Sequence, residues 1–187
     1  AAMLFEKAVA QGDPDAMYDL GNLYRTGQGV AQSFEKAAEL YTMAAEQGHV
    51  NAMFNLALLY RDGKGVAQSF QKSAELYTMA AEEEHVGAMF NLALLYEDGQ
   101  GVVQSFQKAV ELYTMVAEQG HVDAMSNLGN LYFQGQGVVQ SNESAREWWT
   151  KAANEGNESA IKNLKVLDKN EGKSTTTTTT APTTTAA

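Results

Sequence analysis

Apolar residues in this chain recur three and four positions apart. Ala52, Leu56 and Tyr60 lie at i, i+4 and i+8, with Met53 and Leu59 beside them. Residues one turn apart share a helix face, so this spacing predicts a helix with one apolar stripe. A second stripe follows a short break, at Ala74, Tyr77 and Ala81. Between the two stands Gly63-Lys64-Gly65-Val66, where glycines let the chain leave a helix through positive φ and the valine can tuck under the turn. Ser69 then opens the second helix, its hydroxyl placed to cap free amides. The predicted element is an antiparallel hairpin of helix A and helix B.

The pattern returns with a period of 36. Residues 49–84 and 85–120 match at 27 of 36 places without a gap. Ala16, Ala52, Ala88, Ala124 and Ala160 form one column. Leu20, Leu56, Leu92, Leu128 and Leu164 form another, and Tyr24, Tyr60, Tyr96 and Tyr132 a third. A period of this length marks a repeat architecture, in which one small unit is stacked until a continuous core exists. Helix B ends at Gly12, Gly48, Gly120 and Gly156, with Glu84 where repeat 2 should have its glycine. Asp13 then caps the next helix A and Pro14 takes its first turn. His49, His85 and His121 stand where Asp13 does, as weaker caps.

These residues resemble the Sel-1-like repeat, a relative of the tetratricopeptide repeat. The resemblance rests on A-x-x-x-[LG]-x-x-x-Y-x-x-G-x-G-V, as in Ala52 through Gly65, and on a helix ending A-A-E-x-G, as in Ala44 through Gly48. It covers about residues 1 to 168. Two departures are local: Met43, Met79 and Met115 stand where the family often has the lysine kept at Lys151, and Ser33 and its equivalents replace an aspartate. The resemblance implies an all-α fold, an α-solenoid of antiparallel helix hairpins wound as a right-handed superhelix, serving as an adaptor or scaffold in protein complexes.

The expected boundaries follow the columns. Residues 1–12 are the end of a truncated repeat, with Leu4, Phe5, Ala8 and Val9 in the columns of Leu40, Tyr41, Ala44 and Ala45. A sequence that starts inside a repeat is expected to be a fragment or to lack an N-terminal segment. Repeats 1 to 4 cover 13–48, 49–84, 85–120 and 121–156. A capping helix over 157–168 carries Lys162, Lys165 and Asp168 among its apolar residues, as a solvent-facing end should. The Thr-rich tail over 169–187 has too little apolar surface to offset its ordering entropy and is expected to be disordered.

Charge and composition narrow the function. A net charge of −10 argues against a nucleic-acid or anionic-membrane surface, which needs clustered lysine and arginine. No apolar run approaches the roughly 18 to 20 residues of a membrane span. The chain has no cysteine, which removes disulfides and thiolate metal sites and favours a cytoplasmic setting over the ER lumen or the exterior. The histidines recur once per unit, too far apart for one metal ion. Glu82, Glu83 and Glu84 form a solvated helix end without the cleft that acid–base catalysis needs. The Gly-x-Gly loops lack the preceding strand and third glycine of a dinucleotide site. Asn142 and Asn157 open sequons that matter only on a secretory route, and Asn157 also fits a helix cap. Trp148 and Trp149 fall in the columns of Leu40 and Tyr41 and are expected to pack in the core. No catalytic, cofactor or metal residues are assigned.

One set of positions does point to recognition. On helix A, opposite the Ala/Leu/Tyr stripe, lie Tyr18, Asn22 and Arg25, then Phe54, Leu58 and Arg61, then Phe90, Leu94 and Glu97, then Ser126, Asn130 and Phe133. Each trio lies at i, i+4 and i+7, on one line of its helix. A wholly solvated face would not carry Phe54, Leu58, Phe90 and Leu94. In helical-hairpin solenoids the A helices line the concave surface, so these residues, flanked by Asn55, Asn91 and Asn127, are expected to bind a protein or peptide partner. The competing expectation is that Phe54 and Phe90 pack between neighbouring units. The expected function is a non-enzymatic interaction scaffold, acting as a monomer or within a larger complex. The alternative is an architectural spacer of a larger protein with no ligand of its own.

Overall fold

A computed structural model describes residues 9–175. Among the described residues there are nine α-helices and no strand: α1 (Pro14–Thr26), α2 (Phe34–Ala45), α3 (Val50–Asp62), α4 (Phe70–Glu82), α5 (Val86–Asp98), α6 (Phe106–Glu118), α7 (Val122–Gln134), α8 (Asn142–Asn154) and α9 (Glu158–Thr175). They alternate as the A and B helices of the repeats, with α9 a fifth A helix. The described part of residues 1–12 is too short to place Leu4, Phe5 and Ala8, which lie outside it.

The helix ends are satisfied by the same devices in every repeat. Gly27, Gly63, Gly99 and Gly135 cap the A helices in the left-handed conformation, each sending its N–H back to a leucine carbonyl. Ser33, Ser69 and Ser141 cap the B helices, accepting from the backbone N–H three residues on. A further cap was not anticipated from the sequence. The side-chain amides of Gln32, Gln68, Gln104 and Gln140 donate at 2.8–2.9 Å to the carbonyls of Arg25, Arg61, Glu97 and Phe133, each near the end of its A helix. Carbonyls with no partner inside the helix are satisfied within the loop.

The second loop glycine has a task beyond turning. A Cβ on Gly65 would lie 2.2 Å from the carbonyl carbon of Phe34, and one on Gly101 the same distance from that of Phe70. Each is thus where one repeat's loop meets the backbone that opens the previous repeat's helix B. After the valine the loop faces solvent, with Val103 and Val139 each 88% exposed.

The chain divides into two compact units, Ala1–Leu112 and Tyr113–Ala187. In the first, Met17, Ala38, Tyr41, Ala52, Leu56, Leu59, Ala74, Tyr77, Leu92 and Leu95 belong to one buried cluster, against which Tyr24, Tyr60, Val66 and Val102 pack half-buried. In the second, Val116, Leu128, Leu131, Trp149, Ala160 and Leu167 are buried.

The last helix corrects the expected boundary at Asp168. α9 continues to Thr175. The column that holds a capping glycine at Gly27, Gly63, Gly99 and Gly135 holds Glu171 here, so no left-handed residue ends the helix. Arg146 of α8 binds Asp168 and, at 2.6 Å, Glu171. Residues 169–175 therefore belong to the helix, and the remaining Thr-rich residues lie outside the described part.

Candidate partner-binding face

The A-helix residues singled out from the sequence do not share one fate. In the first unit, Arg25, Asn55, Leu58 and Arg61 come together in a hollow of about 480 Å³, completed by Phe34, Leu59, Asp62 and Lys64. Three cationic groups and one carboxylate surround an apolar floor. Arg61 sends Nε–H to Asp62 at 2.9 Å and Nη1–H to Asn91 at 2.8 Å. Lys64 reaches the same carboxylate at 3.5 Å. The hydrogen bond from Arg61 holds the Asp62 carboxyl below its ordinary value, against a smaller effect of burial.

Tyr18 and Phe54 are only half-buried, yet each has a partner in the next repeat. Tyr18 stacks on the His49 ring at 4.5 Å between centroids, and Phe54 stacks on His85 at 4.6 Å while lying tilted against Tyr77. Both pack against the buried cluster, as does Leu58. For Phe54, packing between units is therefore part of its role. The histidines are themselves fixed: Nδ1 of His49, His85 and His121 accepts the backbone N–H of Ala52, Ala88 and Ala124. Burial pushes the His85 imidazole below its ordinary pKa. Phe90, Leu94 and Glu97 sit half-buried on α5.

The asparagines face inward as much as outward. Arg25 Nε–H donates to the Tyr41 hydroxyl at 3.2 Å, and that hydroxyl donates to Asn22 Oδ1 at 2.8 Å. Asn55 donates to the same oxygen at 3.4 Å. Asn91, besides accepting from Arg61, donates to the Gly87 carbonyl. In the second unit Trp149 takes the tyrosine's place, its Nε1–H donating to Asn130 Oδ1 at 3.1 Å and to the Ser126 carbonyl, while Asn163 donates to Asn130. Phe133 lies 5.5 Å from the Trp149 ring. Asn130, Phe133, Trp149 and Asn163 line a separate hollow of about 430 Å³.

A pairing between columns explains these differences. Where a B-helix aromatic donates to an asparagine, the residue before that asparagine is glycine. A Cβ on Gly21 would sit 2.7 Å from Tyr41 Cε1, and one on Gly129 would sit 2.5 Å from Trp149 Cδ1. In repeats 2 and 3 the same places hold Ala57-Leu58 and Ala93-Leu94. Tyr77, lacking the acceptor, keeps a fully buried hydroxyl with no hydrogen-bond partner, and the hydroxyl of Ser73, one turn earlier, is also unpartnered. Burial pushes Tyr77 up to about 12. The coupled Gly-Asn and Ala-Leu pairs are visible in the sequence once columns 21 and 22 are read together.

Among the described residues no group of three or more His, Cys, Asp or Glu side chains could hold a metal ion, and no helix is long and apolar enough to cross a membrane. Asn157 caps α9, its Oδ1 accepting from Ala160 N–H at 2.9 Å.

A family model described as Sel1 repeat matches residues 1–13, 14–49, 50–85, 86–121 and 122–157. Among solved structures, the chain is similar to a protective antigen present in uropathogenic Escherichia coli strains displaying an SLR fold, with 33% identity and a TM-score of 0.83 over 86% of this chain. It is similar to a Sel1 repeat protein from Oxalobacter formigenes, with 34% identity and a TM-score of 0.79 over 83% of this chain. The chain spans 34% of the first protein's length and 64% of the second's. Helicobacter pylori cysteine rich protein B shares the fold at 24% identity and a TM-score of 0.53, over 71% of this chain and 98% of that one. No curated protein sequence matches the chain.

Proposed function

We propose that this chain, which belongs to the Sel1 repeat family, is a non-catalytic scaffold that holds an extended peptide or a helix of a partner protein against its A helices. Family members are generally scaffolds for protein–protein interaction. The observation that carries the reading here is the hollow in which Arg25, Asn55, Leu58 and Arg61 meet, because it joins an apolar floor to fixed polar groups. Recognition surfaces commonly combine these features, the apolar part giving affinity and the polar part orientation. Leu94 extends the same column into repeat 3. Tyr18, Phe54 and Phe90 act as supports and edges of this face, and Asn130 with Phe133 would form a separate contact in the second unit.

The test exploits the chain's own variation. Leu58→Asn and Leu94→Asn install the residue that the same column already holds at Asn22 and Asn130. A library of random ten-residue peptides selected against the native protein is expected to yield binders that this double variant no longer holds, with its helical circular dichroism unchanged. Binders that hold the double variant as tightly as the native protein would place recognition elsewhere.

A further inference from the structure

We infer that the Arg25–Arg61 hollow is a carboxylate site: it takes the acidic side chain of a partner peptide, with a neighbouring aliphatic residue of that peptide lying on Leu58 and Phe34. This rests on the scaffold reading above and specifies the partner's chemistry. The chain has 23 acidic residues against 13 basic ones, so most of its surface repels an acidic segment. Its arginines are Arg25, Arg61 and Arg146, and two of the three line this hollow together with Lys64. Asp62 is the only carboxylate in the lining. A pocket of excess positive charge with apolar walls concentrates the field felt by an incoming anion.

The two guanidinium groups are held ready. Arg25 is exposed, yet its Nε–H is anchored on the buried Tyr41 hydroxyl, which is itself anchored on Asn22. It makes no ion pair among the described residues, so its terminal N–H groups remain available to an acceptor. Arg61 is fixed by Asp62 and Asn91. Paired N–H donors on planar guanidinium groups suit the two oxygens of a carboxylate. A more highly charged anion would face Asp62, which already draws on Arg61 and Lys64. The column of Arg25 and Arg61 becomes Glu97 in the next repeat. Like charge there disfavours the same acid one repeat along and so fixes its register.

The experiment uses the peptides recovered from the random library described above. Binders are expected to be enriched in Asp or Glu beside Leu, Ile or Val. Replacing that Glu by Gln in a synthetic binder should weaken it about tenfold or more, as should Arg25→Gln/Arg61→Gln in the protein, and raising the salt should weaken it further. Lys64→Gln, at an exposed side chain that pairs with Asp62, should weaken it by a smaller factor and serves where the arginine variants unfold. Binders without acidic preference, or Glu→Gln at no cost, would overturn the carboxylate site and leave the scaffold reading standing. A phosphoserine peptide bound far more tightly than its glutamate counterpart would overturn the choice of carboxylate. Recovery of no binders at all would count against the scaffold reading itself.

Discussion

Glu84 is the one non-glycine residue with positive φ among the described residues, at 58°. Gly12, Gly48, Gly120 and Gly156 occupy the same column at φ of 83° to 89°. The junction is otherwise alike, since Glu84 N–H reaches the Ala81 carbonyl at 2.9 Å as Gly48 N–H reaches Ala45. An L-residue there crowds its Cβ against the carbonyl that follows, so Glu84→Gly should raise stability by about 1 kcal/mol. Chemical denaturation measures this, and an unchanged midpoint would contradict it. A second contrast concerns two sides of α3, since Phe54 and Leu56 lie two residues apart on a helix of about 3.6 residues per turn. Leu56 is 4% exposed, and Leu56→Ala should cost about 2–5 kcal/mol through lost burial and a cavity. Phe54 is half-buried but stacked on His85, so Phe54→Ala should cost less, about 1–2 kcal/mol. Equal losses in the two variants would make Phe54 a core residue and remove it from the partner-binding face.

One helix start, that of α5, is tied to protonation. His85 caps α5 through Nδ1, which accepts the Ala88 N–H at 3.0 Å. A protonated imidazole has no lone pair there and places positive charge at the positive end of the helix. Burial depresses the folded-state pKa, so the unfolded chain binds the proton more readily. The stability this contributes is present above about pH 6.5, the unfolded value, and is lost as pH falls through the folded value. The melting temperature should therefore drop on acidification from neutral pH, and His85→Asn, which retains a cap without titrating, should flatten that drop. Packing between helices gives another test. Gly129→Ala would drive a Cβ into Trp149, 2.6 Å from Nε1. The displaced indole should cost about 1–3 kcal/mol, outweighing the better helix propensity of alanine. Thermal unfolding and a shift in tryptophan emission read the change. Much of this scale was legible in the sequence: glycine and serine columns marked the helix ends, and the apolar stripes marked the hairpins. The glutamine caps were not, because the column of Gln32, Gln68, Gln104 and Gln140 shows a recurring polar residue but not the carbonyl seven residues back to which it donates. The inward asparagines were missed because helical spacing shows which residues share a line but not which neighbour reaches across to them. The overrun of α9 could have been read from Glu171, where a stop was missing.

At the level of the molecule, a net charge of −10 means that like charges repel throughout the folded chain. Raising sodium chloride from about 0.01 M to about 1 M shortens the screening length from about 30 Å to about 3 Å. The melting temperature should rise across that range, because self-repulsion falls more in the compact state than in the expanded one. A fall would mean that local ion pairs, such as Arg146 with Asp168 and Glu171, outweigh the general repulsion. The repeat number and hairpin order followed from the 36-residue period, whereas the cationic hollow did not, since its residues come from α1, the start of α2, α3 and the loop after it. The contacts of Gly65 with Phe34 and of Gly101 with Phe70 lead in another direction. Both are between main-chain atoms, so successive hairpins are gauged against each other by groups that no substitution alters, provided the glycine is kept. Side chains on the outer lines can then drift, as Arg25, Arg61 and Glu97 have within one column, without disturbing the spacing that presents them. Such a chain can acquire a new specificity by changing a few letters, while inheriting its geometry intact.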